Sequence, residues 1–402
     1  NQRVHRNQPS EDFQGMKAVI LAAGAGRRLE PLTNVRPKPM IPLANKPLLE
    51  HVLDAVVEAG VEEVVLVVGY ERERIQSHFE DGEQWGITIE YAHQPNQLGT
   101  GDAVLRAEEF IDDEFIVMNG DRIIDSHLIE RIIEDRRTTG EDLIAVTHSE
   151  EPGMFGMVTI DAEKCVTGII EKPEPHQVES DLINAGVYAF GTGVFDVIRD
   201  TERIGELALT DALAGHLDLS PLRAVLYNRR WLDVTRPWDL LTVNGRLLDE
   251  TAEESADSAS IDPTAAVGGH VLLGENSSIY PNATLIRGTA IGDNVQIGPN
   301  VTVQNSLILP DATIRAGSVI ADAVVGSNVT IGPHATIAGG IADVVLQDTV
   351  HRDVRFGAMI GDNASIGAGV QIGPGSFVGN GCRVSFGATV DGRIEPNAIV
   401  TR

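Results

Sequence analysis

From residue 279 to residue 390 the chain repeats in sixes. Ile279, Leu285, Ile291, Ile297, Val303 and Leu309 are each six apart. After slips the rhythm resumes at Val325, Ile331 and Ile337, and it returns at Ile360, Ile366, Ile372, Val378, Val384 and Val390. Glycine usually follows the aliphatic residue, and a small residue sits between aliphatic ones, as in Ile291-Gly-Asp-Asn-Val-Gln-Ile297. Three such hexapeptides make one triangular coil, with the aliphatic residues stacked inward and Gly and Asn holding the turns. A sandwich of short strands is the weaker alternative. Residues 338–359 break the rhythm, so a loop thrown out from the prism is expected there.

Upstream the pattern is different. Val64-Val-Leu-Val-Val68 is a continuous apolar run ending at Gly69, as a strand buried on both faces should be. Residues 48–59 carry apolar side chains at helical spacing. Further strands are expected at 87–91, 115–118 and 143–147, and helices at 103–110 and 128–137. Strands interleaved with helices argue a doubly wound, three-layer α/β sheet from residue 16 to about 248. Residues 249–262, opening Asp249-Glu-Thr-Ala-Glu-Glu, are acidic, small and non-periodic, which suits an exposed linker. Residues 263–402 then form the repeat domain. Residues 1–15 are polar and precede Met16-Lys17-Ala-Val-Ile, so they read as a tag or unstructured extension.

Net charge is −28, with 59 acidic and 31 basic residues, and the only lysines are Lys17, Lys38, Lys46, Lys164 and Lys172. So acidic a surface repels nucleic acid and anionic membrane, and neither is an expected partner. No apolar run approaches the length of a membrane span. The two cysteines, Cys165 and Cys382, have no metal-ligand spacing and are read as buried thiols in a reducing, cytoplasmic compartment.

Residues 17–38 carry the chemistry. An apolar run of strand length ends in Gly24-Ala-Gly26-Arg27-Arg28-Leu29, followed by Pro31-Leu-Thr33 and Arg36-Pro37-Lys38. In an open α/β sheet, ligands bind beyond the carboxyl ends of strands. Glycines there let backbone N–H groups close on phosphate oxygens, and Arg28 and Lys38 supply charge for a triphosphate. Leu29 stands where the dinucleotide fingerprint needs its third glycine, and no Gly-Lys-Ser/Thr closes a P-loop.

The stretch resembles the sugar-1-phosphate nucleotidylyltransferase family, whose signature is a Gly-x-Gly-x-Arg-Leu turn followed by Pro-Leu-Thr and Pro-Lys. The resemblance implies a Rossmann-like mixed sheet, with the C-terminal repeats as a left-handed parallel β-helix of the kind that commonly trimerises. It also implies a reaction. A sugar 1-phosphate attacks the α-phosphorus of UTP or dTTP in line, and pyrophosphate leaves. No covalent nucleophile is needed, so positioning and charge neutralisation supply the rate.

By that match, Arg28 holds the β/γ-phosphates and Lys38 sits nearer the α-phosphate, while Leu21, Ala23, Gly24 and Gly26 line the nucleotide. Gln94, Gly99 and Thr100 read the pyrimidine edge, and Thr100 or Asp102 would also cap the helix that follows. Asp121, after Asn119-Gly120, matches the metal-binding aspartate. Asp233 in Trp231-Leu-Asp233 is the expected second ligand of a Mg²⁺ ion, with a turn cap as its plain alternative. Gly156, Glu171, Lys172 and Asn184 occupy the sugar-phosphate positions.

The same resemblance leaves two other functions open. Some relatives with this plan also acetylate glucosamine 1-phosphate from acetyl-CoA, using a prism histidine as base. His334 and then His351 are the candidates here, but the basic segment expected beside them is replaced by Asp343-Val-Val-Leu-Gln-Asp-Thr-Val. A non-catalytic regulatory subunit is the third reading, and retention of Arg28, Lys38, Asp121 and Asp233 argues against it. Acidic, lysine-poor chains are a habit of proteins working in concentrated salt, which screens self-repulsion. Melting temperature and activity are expected to rise from dilute buffer to molar potassium chloride. Full stability in dilute buffer would remove that interpretation.

Overall fold

The computed structural model describes residues 15–202, 205–250, 255–347 and 349–401. The extension 1–14 and part of the acidic linker, 251–254, lie outside the described residues. The contacts divide the chain into two compact units. One holds the chain up to Ala25 together with Leu48–Leu232, and the other holds Gly26–Pro47 with Asp233–Arg402.

The first unit is built on a 9-stranded mixed sheet. Lys17–Ala22 is its centre, parallel to Phe115–Asn119 on one side and to Glu63–Val68 on the other, with Thr88–His93 parallel beyond that. Leu182–Phe190 then pairs antiparallel with Phe115–Asn119 and with Asp142–His148. The central strands are buried runs of Val, Ile and Leu because helices cover the faces. Leu48–Glu58 and Ser126–Thr139 are two of those helices, the second capped by Asp125, whose carboxylate accepts the Leu128 N–H at 3.4 Å. The parallel strands all point the same way, so their carboxyl ends open along one edge of the sheet. That edge is where loops with exposed backbone N–H groups collect.

The second unit contains the prism. Parallel sheets of 8, 7 and 7 strands form its three faces, as in a left-handed β-helix. Each rung pairs with the rung one coil later, for example Ile279 with Ile297 and Ile297 with Ile314. The hexad aliphatics and the small residues between them, such as Val295, Val301, Ala312 and Ala335, make one continuous core, except that Ile308 and not the expected Leu309 takes the place in the stack between Ile291 and Val325, because that coil is one residue shorter. Corners are turned by residues at positive φ, mostly asparagine (Asn276, Asn282, Asn294, Asn300, Asn328, Asn363), with His334 at φ 57° in the same role. Asparagine tolerates the left-handed region better than other L residues because its short side chain bonds locally.

Two expectations change here. The break at 338–359 is a two-stranded antiparallel hairpin, Ile341–Leu346 against Thr349–Arg355, whose strands pair with each other once they leave the prism, Val345 standing opposite Val350 and Leu346 opposite Thr349. Cys382 is buried, but Cys165 is only half-buried, since its turn at the edge of the first unit is held by the Asp161 carboxylate rather than by packing. No helix among the described residues is long and apolar enough to cross a membrane. Ile331 has no exposed surface, and Ile331→Ala is expected to cost about 2–5 kcal/mol in denaturant titrations. Val319→Ala, on a residue 41% exposed, is expected to stay within about 0.5 kcal/mol.

Candidate functional site

In the first unit the sheet's carboxyl edge gathers most of the expected residues. Leu21 and Ala23 lie at the end of the central strand Lys17–Ala22. The Leu21 carbonyl accepts the Gly120 N–H at 2.9 Å, which brings the Gly120-Asp121 turn against that strand end. Gly24 is exposed, and a Cβ added there would meet nothing within 4 Å. Packing inside the protein therefore gives no reason for glycine at 24, whereas close approach of a ligand to the backbone does.

Gln94 follows Thr88–His93, and its backbone N–H donates to the Val68 carbonyl at 2.8 Å. Its side chain is 4% exposed and fixed. Nε2 donates to the Gly99 carbonyl at 3.0 Å and to Asp102 Oδ2 at 2.9 Å. Both partners are pure acceptors, so the amide orientation follows from chemistry and both N–H hydrogens are used. Asp102 is buried and also receives Arg106 at 3.0 Å. Neither Thr100 nor Asp102 caps the helix. The helix begins at Thr100 itself, with Gly99 before it and no side-chain cap. The Thr100 hydroxyl instead accepts the Leu209 N–H at 2.8 Å, and the Asp102 carboxylate is taken by Gln94 and Arg106.

Gly156, Glu171 and Asn184 come together across three neighbouring strands. A Cβ on Gly156 would lie 3.0 Å from Glu171 Oε2 and 3.6 Å from Asn184 Cβ. Glu171 Oε2 accepts the Thr210 hydroxyl at 3.1 Å. Asn184 is buried; its Nδ2 donates to the Tyr188 oxygen at 2.6 Å and its Oδ1 accepts the Gly186 N–H at 2.8 Å. Burial pushes the Tyr188 phenol up to about 12, so it stays neutral and keeps a proton to donate. Lys172 is exposed at φ 46°, with its N–H on the Phe155 carbonyl at 3.0 Å.

Two partners in this region were not found from the sequence. Thr210 comes from a separate helix, Leu209–Ala214, with no local motif to mark it. Arg122 donates to the Asn184 carbonyl at 2.9 Å, and its guanidinium lies 5.4 Å from the Trp231 ring and 5.9 Å from the Phe155 ring. Its one signal was its place next to Asp121.

In the second unit, Gly26, Arg28 and Lys38 share one compact segment. Gly26 has φ 67°, its carbonyl accepts the Thr33 hydroxyl at 3.0 Å, and a Cβ there would lie 2.6 Å from Lys38 Cβ. Only glycine meets both demands, so the turn that starts the segment also seats the stem of the lysine. Arg28 is exposed, and its Nε donates to Gln347 Oε1 at 3.3 Å. Asp233 Oδ2 accepts the Thr235 hydroxyl. The turn cap belongs to Asp239, which receives the Thr235 and Arg236 N–H groups at 3.1 and 2.6 Å. Burial raises the Asp239 carboxyl above the usual range, with Arg236 opposing. His334 is an exposed corner residue, and the His351 ring packs edge-on against Trp238 at 5.2 Å. Among the described residues no three His, Cys, Asp or Glu are grouped as metal ligands. Asp121 belongs to the first unit and Asp233 to the second, and each is a carboxylate, a hard oxygen donor of the kind Mg²⁺ takes.

Comparison with known proteins covers both units. The nucleotidyl transferase family matches residues 17–250, the GMPPB C-terminal domain residues 267–356, and the bacterial transferase hexapeptide residues 354–392. A bifunctional protein GlmU from Methanococcus maripaludis is 39% identical over 66% of this chain and 62% of its own length. The chain thus spans about three-fifths of the first curated relatives it matches. A low-salt glycan biosynthesis nucleotidyltransferase, Agl11, from Haloferax volcanii is 34% identical over 65% of this chain and 74% of its own. A glucose-1-phosphate thymidylyltransferase from Streptomyces antibioticus is 30% identical over 87% of this chain and 93% of its own. Among solved structures, one described as a glucose-1-phosphate thymidylyltransferase from Bacillus anthracis is 26% identical, with TM-score 0.55 over 60% of this chain and 98% of its own.

Gly156→Ala is expected to crowd the Glu171 and Asn184 side chains at a cost of about 1–3 kcal/mol. Calorimetric titration should read this as a loss of affinity for a sugar phosphate of about tenfold or more, with nucleotide affinity unchanged.

Proposed function

Given that the chain belongs to the nucleotidyl transferase family, we propose that it transfers a nucleotidyl group from UTP or dTTP to a sugar 1-phosphate, glucose or N-acetylglucosamine, releasing pyrophosphate. The observation that carries the choice of base is the locked amide of Gln94. With both Nε2 hydrogens spent on Gly99 and Asp102, the side chain has only Oε1 left to offer a base. An acceptor complements the N3–H of uracil or thymine and opposes the N3 lone pair of cytosine. Rejection of cytosine is then enforced by a polar mismatch, which discriminates far better than an apolar wall.

Each remaining residue has a role in an in-line displacement. The sugar hydroxyls meet Glu171 and Asn184, held by Thr210 and Tyr188, with Gly156 leaving room for the ring. Lys172 meets the sugar's phosphate. Arg28 and Lys38 neutralise the triphosphate as charge moves onto the leaving pyrophosphate. Family members generally use a divalent metal. Asp121 and Asp233 would hold a Mg²⁺ ion, which supplies charge stabilisation to the phosphate oxygens when bound. Substrates are small molecules, and the prism is proposed to join copies of the chain as a homotrimer or higher homo-oligomer in the cytoplasm.

The deciding experiment is pyrophosphate release over the four common triphosphates and several sugar 1-phosphates. Activity with UTP or dTTP and none with CTP is expected. Guanine also carries an imide-like N–H, so a preference for GTP would overturn the pyrimidine assignment and leave the Gln94 geometry intact. Asp121→Asn is expected to lower kcat at least about a hundredfold, with melting temperature nearly unchanged. Equal damage to stability and turnover would make Asp121 a structural residue.

A further inference from the structure

The segment carrying Arg28 and Lys38 has little structure of its own. Residues 26–47 form three isolated 3₁₀ turns, Arg27–Leu29, Leu32–Asn34 and Lys38–Met40, and one short strand pair, Pro42–Leu43 with Lys46–Pro47. Single turns close few backbone hydrogen bonds, so something outside the segment must fix the separation of its two cations.

Asn45 Nδ2 ties the far end of the segment to the prism at the Ile291 carbonyl, 2.8 Å away, and three further ties fall between the two cations. Asn380 donates from Nδ2 to the Pro31 carbonyl at 2.8 Å, and its Oδ1 accepts the Asp362 N–H at 2.8 Å. The Arg36 guanidinium is ion-paired to Asp362 Oδ2 and donates to the Ser327 hydroxyl at 3.2 Å. Asp362 Oδ1 in turn accepts the Ser327 N–H at 3.0 Å. Arg36 and Asp362 are 8% and 6% exposed. Ser327, Asp362 and Asn380 are equivalent residues of three successive coils, each two positions after a paired rung residue (Val325, Ile360, Val378). They form a polar column along one edge, and Pro31 and Arg36, lying between the two cations, dock on it.

A buried ion pair adds little net stability over a well-packed apolar pair, but it is directional. We propose that this column sets the geometry of Arg28 and Lys38, with Arg36 a positioning residue and Asp362 its counter-charge. The β-helix is then part of the catalytic apparatus as well as an assembly element. This rests on the nucleotidyl-transfer reading above.

The test compares Asp362→Asn, Arg36→Gln and the double variant in the full chain. Each single change is expected to lower kcat at least about tenfold, since small misplacements of a positioned group are expensive in rate. KM for the sugar 1-phosphate should not move, because its candidate ligands belong to the other unit. The double variant should be no slower than the worse single variant, the mark of one shared contact. Unchanged kcat in Asp362→Asn, or single losses that multiply, would overturn the proposal.

If Asp362→Asn does not fold, Asn380→Ser removes a tie without stranding a charge and is read the same way. If the wild-type chain releases no pyrophosphate from any substrate pair, the functional reading falls. Hydrogen exchange then decides the structural claim. Asp362→Asn should speed exchange in residues 26–47 and leave the prism rungs protected; unchanged exchange in 26–47 would overturn the proposal.

Discussion

Parallel pairing on both sides of Lys17–Ala22 is the constraint on which the first unit's chemistry depends. Because Glu63–Val68, Thr88–His93 and Phe115–Asn119 run in the same direction as this strand, all four end at one edge of the sheet. Leu21, Ala23, Gly24, Gln94 and Asp121 follow from that direction alone. An antiparallel neighbour would have carried one of them to the opposite edge. The antiparallel strands are kept to the flank, where Gly156, Glu171 and Asn184 meet across Leu182–Phe190 and its neighbours. That flank has an irregular register between Asn184, which pairs with Val146, and Tyr188, and the asparagine amide bonds the tyrosine hydroxyl across the irregularity.

Polar groups at this edge are satisfied by one another before any ligand arrives. Gln94 holds Gly99 and Asp102, Asp102 holds Arg106, Tyr188 holds Asn184, and Thr210 holds Glu171. Each bond removes a rotamer choice from a residue proposed to touch substrate, and preorganisation of that kind lowers the cost of binding. It also narrows what each side chain can say. An amide free to flip would accept either kind of base edge, whereas a locked one distinguishes donor from acceptor.

Much of this was legible in the sequence because its signals are local. The hexad rhythm marks most of the prism core, slipping at Leu309, where Ile308 takes the inward place, and the glycine-arginine turn announces a phosphate loop. Residues whose meaning lies in distant partners were not legible. Thr100 reads as a helix cap until Leu209 takes its hydroxyl, and Arg36 looks like one more signature cation until Asp362 appears 326 residues later. Cys165 looks like a core thiol, yet a surface carboxylate holds its turn. The hairpin at 341–355 is not visible in the sequence because strands of six and seven residues without clean alternation are hidden inside a stretch defined by what it interrupts.

That interruption has a consequence for how the prism can change. Ile337 pairs with Ile372 across it, 35 positions on, while the next rung, Ile372 with Val390, is spaced by 18. The ladder closes over the insertion with its register intact, so the hairpin is a cassette plugged into a socket. Its outward residues Ile341, Val345 and Val350 are more than half exposed, and none of them supports a coil. A lineage, or a protein engineer, can rewrite that cassette in length and chemistry while every coil above and below it stays in register.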